Sequence, residues 1–365
     1  IDPDAARNKV ALYLVLTMAP FAIVAPLIGP ALDRARNGRR LMVVAISVAR
    51  VLVALLMIGH LDSLFLFPEA FFILVLGKGY GIAKSALVPT TVANDQELIE
   101  ANSKLSIITG LSGVVAGVPG ALLGVIGGPE WIMGFAMVVF ALSTVMALSL
   151  SPAPVADAAE TAEEESELHS RGIFLAASAM GLMRGIVGFL VFLLAFEYRE
   201  EPTWKLGLAV GASVAGSFVG SVLAPRVRRT TQEEDMLTVS LLLAAFVALL
   251  GAWAGGLMAA VLVALSVGFC ANTSKLAFDS IVQRDAPDAN RGRSFARFET
   301  RFQIFWVIGA FLPVILPVIE IPLPAQAGFL AIAGTAGFAG VTYWLGRRDA
   351  AAGRPPRSRR PVRPR

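Results

Sequence analysis

Residues Gly172–Phe196 have the sequence GIFLAASAMGLMRGIVGFLVFLLAF, in which Arg184 is the only charged side chain. A helix needs about 20 consecutive apolar residues to cross the hydrocarbon core of a bilayer. This run is long enough to span a membrane and too apolar for the surface of a soluble protein. It therefore predicts a transmembrane α-helix.

Ten further stretches of the chain share this length and apolar character. Charged residues make up only 16% of the chain, against about 25% in soluble domains, which supports the same assignment. The sequence predicts an all-α polytopic membrane protein with eleven spans. Besides the span above, these are Val10–Pro30, Leu41–Gly59, Leu64–Leu87, Leu105–Gly127, Trp131–Leu150, Leu206–Ala224, Met236–Ala254, Leu257–Ile281, Ala296–Ile319 and Ala325–Gly346.

Basic residues alternate between the two sides of the predicted spans. Arginine-rich segments follow spans one, seven, nine and eleven, whereas the loops after spans two, eight and ten have no Lys or Arg. Because cytoplasmic loops are enriched in these residues, we expect a multi-pass protein of the cell membrane with a cytoplasmic C-terminus. Arg7 and Lys9 fall on the wrong side in this scheme. One more span upstream of Ile1 would place both termini in the cytoplasm.

An acidic segment divides the spans into a group of five and a group of six. This segment, 152–171, has the composition of a flexible linker. The two groups echo each other, because Lys84-Ser85-Ala86-Leu87 and Lys275-Leu276-Ala277-Phe278 take corresponding places. We therefore expect two pseudo-symmetric helix bundles. The chain divides into a first bundle (1–151), the linker (152–171), a second bundle (172–346) and a basic cytoplasmic tail (347–365).

The composition argues against a metal centre, a cofactor and an enzyme active site. Cys270 is the single cysteine, the histidines His60 and His169 are far apart, and no phosphate-binding loop or nucleophile triad is present. The proline-rich basic segment Arg354–Arg365 could suggest nucleic acid, but after a final span we expect it to contact anionic lipid. The expected protein is a monomer in contact with membrane lipid, without nucleic acid, metal or cofactor.

The loop after the first span, Gly29–Arg40, has the sequence GPALDRARNGRR. It resembles the signature loop between helices two and three of the major facilitator superfamily, with two extra residues before the second glycine. The resemblance implies a major facilitator fold of two six-helix bundles, of which the first helix is missing here. It also implies a cytoplasmic latch between the bundles, formed by Gly29, Asp33, Arg34, Gly38, Arg39 and Arg40.

A simpler interpretation of this loop stays open, because its arginines could serve only as topology signals. Asp33 has a more specific role available. A carboxylate near a helix N-terminus is favourable by about 0.3–1 kcal/mol. The resemblance implies that Asp33 contacts the N-terminus of the helix that is expected to begin near Ser294–Ala296.

A second motif lies in span four and consists of Gly113, Gly117, Pro119 and Gly120. It is similar to the helix-five motif of proton-coupled antiporters in the same superfamily. Small residues four positions apart also let helices approach closely, and proline can bend a helix. Plain helix packing is therefore the alternative to a role in antiport.

Charged side chains inside the spans each cost about 2.5–3.5 kcal/mol at the bilayer centre and therefore need a reason. Lys275 and Asp279 are four residues apart and could pair on one helix face. Lys84 and Lys275 are near enough to the cytoplasmic face to snorkel instead. The candidate cavity or coupling residues are Arg50, Lys78, Arg184, Lys275 and Asp279.

These features predict a secondary active transporter that exports a small amphipathic or hydrophobic molecule by alternating access. Pro89 and Glu97–Asn102 resemble the branch of macrolide-efflux proteins and the enterobactin exporter. A siderophore or lipid exporter is therefore the alternative within transport. A non-transporting membrane scaffold or sensor is the alternative from another class, and it has no need for a charged cavity. The coupling ion stays open, with protons as one candidate.

Overall fold

The structure is a computed structural model that describes residues 38–90, 92, 97–150, 171–285, 291–316 and 323–352. These ranges contain ten helices, each long and apolar enough to cross a membrane. In chain order they are α1 (Gly38–Gly59), α2 (Leu66–Leu87), α3 (Leu98–Gly127), α4 (Pro129–Leu148), α5 (Arg171–Glu197), α6 (Thr203–Arg228), α7 (Glu233–Ala254), α8 (Gly256–Asp285), α9 (Arg291–Ile315) and α10 (Ala325–Ala352).

Successive helices run in opposite directions, so that their ends gather at two faces of the bundle. One face, the arginine end, is defined by Arg228 at the end of α6 and Arg284 in the last turn of α8. At this end Arg40, in the first turn of α1, donates a hydrogen bond to the Leu148 carbonyl of α4 (2.7 Å). The far end holds tight turns such as Gly128, the single residue between α3 and α4. Its φ of 79° is a left-handed conformation that glycine adopts without strain.

A buried carboxylate holds three helices together at the arginine end. The Glu233 side chain, at the start of α7, is only 1% exposed. It accepts hydrogen bonds from Arg228 Nε of α6 (2.8 Å) and from Arg284 Nη1 of α8 (3.0 Å). Arg284 also bonds Glu234 and Asp285. Each buried charge in this group therefore has an opposite charge beside it.

Glycines bring the helices of the second half into close contact. A Cβ built on Gly309 of α9 would lie 2.0 Å from the Gly185 carbonyl oxygen of α5. The same crowding occurs between α6 and α8, where a Cβ on Gly268 would lie 2.1 Å from the Ser213 carbonyl oxygen. Only glycine permits such backbone approach. Most of the largest cluster of buried apolar side chains accordingly lies among α5–α10, and the cluster extends to Val43 of α1, to Ala147 of α4 and to Val75, Ile82 and Ala83 of α2.

The first four helices contact the last six at two interfaces. α3 packs on α6 and α8, and α2 packs on α9. α3 and α4 bury little of their surface against other described helices. Through these interfaces, α2, α3, α8 and α9 surround a common space.

All ten described helices coincide with predicted spans, and the all-helical prediction is confirmed. The structure shows ten helices and not eleven, because the remaining span, Val10–Pro30, lies outside the described residues, as does the linker from 152 to 170. Several ends differ from the predicted ones. α3 begins at Leu98, not Leu105, and α9 covers Arg291–Ile315, not Ala296–Ile319. The apolar pattern identifies the part of a helix in lipid, whereas backbone hydrogen bonding continues into polar turns.

α10 continues past Gly346 to Ala352 and includes Arg347 and Arg348, which the sequence assigned to the tail. Arg347 Nη1 lies 2.6 Å from Asp235 Oδ1 of α7, and the Arg348 guanidinium lies 4.1 Å from the centre of the Trp344 ring. These contacts stabilise the last turns as helix.

Candidate functional site

A polar cavity of about 500 Å³ lies between the two groups of helices, next to the arginine end. Three helices each line it with residues at positions i, i+3, i+4 and i+7, the spacing of one helix face. α5 contributes Arg184, and α9 contributes Phe295 and Glu299. The three faces consist of Lys78, Gly81, Ile82 and Ser85 (α2), of Asn102, Leu105, Ser106 and Thr109 (α3), and of Asn272, Lys275, Leu276 and Asp279 (α8).

Lys275 bridges two carboxylates in this cavity. Its Nζ lies 2.6 Å from Asp279 Oδ1 on the same helix and 2.6 Å from Glu299 Oε1 on α9. The Phe302 ring lies beside it, with its centre 6.0 Å from Nζ. All three charged side chains are largely buried, and each has an opposite charge within hydrogen-bonding distance. The arrangement ties α8 to α9 by charge.

Three more basic side chains surround this centre. Arg184 of α5 and Lys78 of α2 lie within electrostatic range of the Glu299 carboxylate. Lys84 of α2 lies near Asp279 and donates a hydrogen bond to Thr109 Oγ1 of α3 (3.2 Å). The cavity thus collects charges from both groups of helices.

Uncharged polar side chains join the helices beside the cavity at the arginine end. Asn102 Nδ2 of α3 donates to Gln283 Oε1 of α8 (2.6 Å), and Gln283 Nε2 donates to the Ser85 carbonyl of α2 (3.0 Å). These bonds connect three helices in one layer.

A second layer lies further from the arginine end. Ser221 Oγ of α6 donates to Ser106 Oγ of α3 (2.9 Å), and Asn272 Nδ2 of α8 donates to Ser221 Oγ (2.7 Å). The Ser103 hydroxyl of α3 donates to the Ser221 carbonyl. We call the two layers the seam, which consists of Asn102, Ser103, Ser106, Ser221, Asn272 and Gln283.

A helical bundle with a charged cavity shared between two groups of spans is an arrangement known in transporters. The profile of the Major Facilitator Superfamily matches residues 4–310. The chain belongs to the Major Facilitator Superfamily. Members of this family are non-enzymatic transporters, and this chain has their multi-pass, all-helical membrane fold.

Solved structures of superfamily members have the same fold. FucP, a Major Facilitator Superfamily transporter in the outward conformation, gives a TM-score of 0.68 at 14% identity, covering 91% of this chain and 89% of FucP. A bacterial homologue of the iron transporter ferroportin, in the outward-facing state, gives 0.70 at 17% identity, covering 93% and 90%. At such identities the similarity shows the fold alone.

Curated relatives occur in mycobacteria. A Mycobacterium leprae protein described as uncharacterised is 30% identical, over 85% of this chain and 61% of its own length. A Mycobacterium tuberculosis protein, also described as uncharacterised, is 37% identical over 31% of this chain and 21% of its own length. This chain therefore spans about three fifths of the length of the Mycobacterium leprae relative.

Four of the five candidate cavity residues, Lys78, Arg184, Lys275 and Asp279, line the cavity. Arg50 does not. It lies among α1, α2 and α4, with its guanidinium 5.0 Å from the centre of the Tyr80 ring and 5.5 Å from that of Phe140. Since a charge count along a span does not reveal which face a residue occupies, aromatic packing of this arginine was not predicted.

The glycine motif of span four lies in the middle of α3, which continues as a helix through Pro119. Apart from the neighbouring backbone of α3 itself, no described atom lies within 4 Å of a Cβ built on Gly113 or Gly117, and a Cβ built on Gly120 would lie 3.8 Å from the Phe135 ring. Close helix approach at the first two glycines is therefore not seen among these residues. A role in antiport stays a prediction.

The predicted latch falls largely outside the described residues, which exclude Gly29, Asp33 and Arg34. Gly38, Arg39 and Arg40 form the first turn of α1. The Arg40 bond to Leu148 joins two helices of the first group and does not connect the two groups. The latch stays a prediction.

Three features of the site were not predicted from the sequence. Glu299 was not predicted because it lies in an arginine-rich stretch at the start of the predicted span Ala296–Ile319, Arg297-Phe298-Glu299-Thr300-Arg301. Lys84 was expected to snorkel, although its correspondence to Lys275 could have indicated a shared cavity. The seam consists of small uncharged residues that carry no signal until the helices are assembled. Among the described residues, no group of three or more His, Cys, Asp or Glu is placed to hold a metal ion.

Proposed function

We propose that this chain moves a small amphipathic molecule across the membrane by alternating access, as the core of an ion-coupled secondary transporter. The observation that supports this most strongly is the cavity between the two groups of helices, which holds six charged side chains and is bordered by the seam. Apolar residues such as Ile82, Leu105 and Phe295 share its wall. An amphipathic ligand matches both kinds of surface.

The cost of burying charge favours transport over the scaffold alternative. Each ionised side chain at membrane depth costs several kcal/mol unless it is paired or hydrated. A scaffold gains nothing from Lys78, Lys84 and Arg184 around a cavity, since its spans could be apolar. A transporter needs polar groups there to bind its substrate and coupling ion.

Alternating access in this proposal is a rocking of the first bundle (1–151) against the second (172–346). The seam is suited to open and close, because it consists of neutral hydrogen bonds worth about 0.5–1.5 kcal/mol each. We assign the arginine end to the cytoplasm from the distribution of basic residues. In this proposal, the formed seam closes the protein to the cytoplasm.

The carboxylates Asp279 and Glu299 are the proposed carriers of the coupling ion, for which protons are the leading candidate. Both bind the same ammonium, Lys275, so neutralising one leaves the other paired. Export is the proposed direction, as the resemblance to efflux proteins suggests, with a siderophore or a lipid as the alternative cargo.

Accessibility of the seam tests the proposal without knowledge of the substrate. A cysteine at Ser106, in a Cys270→Ala background, is placed in the closed seam, and the native Cys270 is itself buried. The chain is reconstituted in vesicles and exposed to a membrane-impermeant maleimide with and without a pH gradient. We expect the gradient to change the labelling rate at Ser106→Cys, but not at an exposed control, Thr230→Cys.

Transport is measured in the same vesicles with fluorophores of one size that are neutral, cationic or anionic. Accumulation of at least one fluorophore that collapses with the pH gradient supports the proposal. A labelling rate at Ser106→Cys that does not change with the pH gradient, together with no movement of any fluorophore, would favour a scaffold or sensor.

A further inference from the structure

The charges in the cavity do not balance. Among the described residues, four basic side chains and two acidic ones line it, an excess of two positive charges. The basic residues are Lys78, Lys84, Arg184 and Lys275, and the acidic ones are Asp279 and Glu299. The predicted span Val10–Pro30, which lies outside the described residues, contains no Asp or Glu that could offset the excess. Unbalanced charge at membrane depth is costly.

The basic groups are arranged around the space and not along one wall. Lys78 and Lys84 come from α2, Arg184 from α5 and Lys275 from α8. Lys275 is held by two carboxylates, whereas Lys84 donates a hydrogen bond to the uncharged hydroxyl of Thr109 (3.2 Å). An anion in the cavity would reach cations from both groups of helices at once.

We infer that the transported molecule is an organic anion, whose acidic group is a carboxylate or a phosphate and whose remainder is apolar. Arg184 offers a planar pair of N–H donors that matches either acidic group, and the lysines add point charges beside it. The apolar part lies against Ile82, Leu105, Leu276 and Phe295, which share the wall of the cavity. This inference rests on the proposed function and names the substrate class of the same site.

Binding of four matched probes to the purified chain tests the inference. The probes are dansylglycine (carboxylate), dansyl-aminoethyl phosphate, the neutral dansylglycinamide and the cationic dansyl-ethylenediamine, each titrated by fluorescence in detergent. We expect one or both anions to bind at least about tenfold more tightly than the neutral probe, the gain from one charge-assisted hydrogen bond. The stronger anion identifies the acidic group. Equal or tighter binding of the neutral or cationic probe, or no saturable binding of either anion, overturns the inference.

Substitutions in the cavity locate the binding site. Lys84→Gln and Arg184→Gln should each weaken anion binding by about ten- to hundredfold. Lys104→Gln on α3, where the lysine is exposed and pairs with Glu100, should leave the affinity unchanged. If all three variants bind the anion with the same affinity, the inference is wrong.

Glu299→Gln provides a test with the opposite sign. It removes a carboxylate that competes for Lys275, so the anion should bind more tightly, whereas general damage to the fold would weaken binding. Weaker anion binding in this variant, with a normal elution profile, would count against the inference.

Binding and transport can also fail separately. Anion binding by a chain that never changes its seam accessibility would refute only the proposed transport. Gradient-driven movement of the neutral probe alone would refute only the inference that the transported molecule is an anion.

Discussion

The Lys275 ammonium of α8 lies 2.6 Å from Glu299 Oε1 of α9, and this ion pair joins two helices across one wall of the cavity. Asp279 occupies a second position on the same ammonium at 2.6 Å. One cation between two acids keeps a partner when either acid is neutralised. This arrangement allows a proton to bind without leaving a bare charge in the membrane.

Glu299→Gln and Asp279→Asn should each abolish gradient-driven accumulation while leaving the protein folded. Lys275 retains one carboxylate in either single variant, so the buried charge stays paired. Accumulation with and without a pH gradient in vesicles is the measurement. Glu201→Gln is the matched control, because its exposed pair with Lys205 lies outside the cavity. If both cavity variants still accumulate substrate in response to the pH gradient, neither acid takes part in coupling.

The double variant Glu299→Gln/Asp279→Asn should be far less stable than either single one. It leaves Lys275 without an acidic partner, and breaking a buried pair costs about 3–5 kcal/mol. The midpoint of thermal unfolding in detergent, compared among the four proteins of the mutant cycle, measures this non-additivity. Additive effects would show that the two acids act independently.

Structural features that depend on a local sequence pattern could be predicted. Apolar length gave the ten described spans, and four-residue spacing gave the Lys275–Asp279 pair. Features that depend on which helix faces pack together could not be predicted from the sequence. Glu299 joins Lys275 only because α9 packs beside α8, and the seam exists only because α3 crosses α6 and α8. Arg50 carried the same sequence signal as Lys78, yet its helix turns it towards Tyr80 and Phe140.

Gly309→Ala should destabilise the protein by about 1–3 kcal/mol, the usual cost of overpacking. The added methyl group would lie 2.0 Å from the Gly185 carbonyl oxygen, so α5 and α9 must separate. Gly207→Ala in α6 is the control, since a Cβ at this position would meet no described atom within 4 Å apart from the neighbouring backbone of α6 itself, and alanine favours helix over glycine. Thermal unfolding in detergent should rank the control at or above the wild type. Equal midpoints for both variants would contradict the close approach.

Glu233→Gln should loosen the arginine end and lower stability by about 3 kcal/mol. The substitution removes the buried negative charge between Arg228 and Arg284. Arg284 keeps Glu234 and Asp285, so the loss falls mainly on the α6–α7 contact. Glu200→Gln, which changes only an exposed pair with Arg199, should cost about 1 kcal/mol or less. Comparable losses in the two variants would argue that Glu233 is not the structural centre of this end.

A disulfide across the seam should lock the protein in one state. The Ser106 and Ser221 oxygens lie 2.9 Å apart on α3 and α6, so cysteines at both positions place their sulfurs within reach of a bond. In a Cys270→Ala background, oxidation of Ser106→Cys/Ser221→Cys should stop transport, and reduction should restore it. The single-cysteine variants control for direct damage by the oxidant. Because a gate must be closed in one state and open in the other, a cross-linked protein that still transports at the full rate would show that the seam stays closed throughout the cycle.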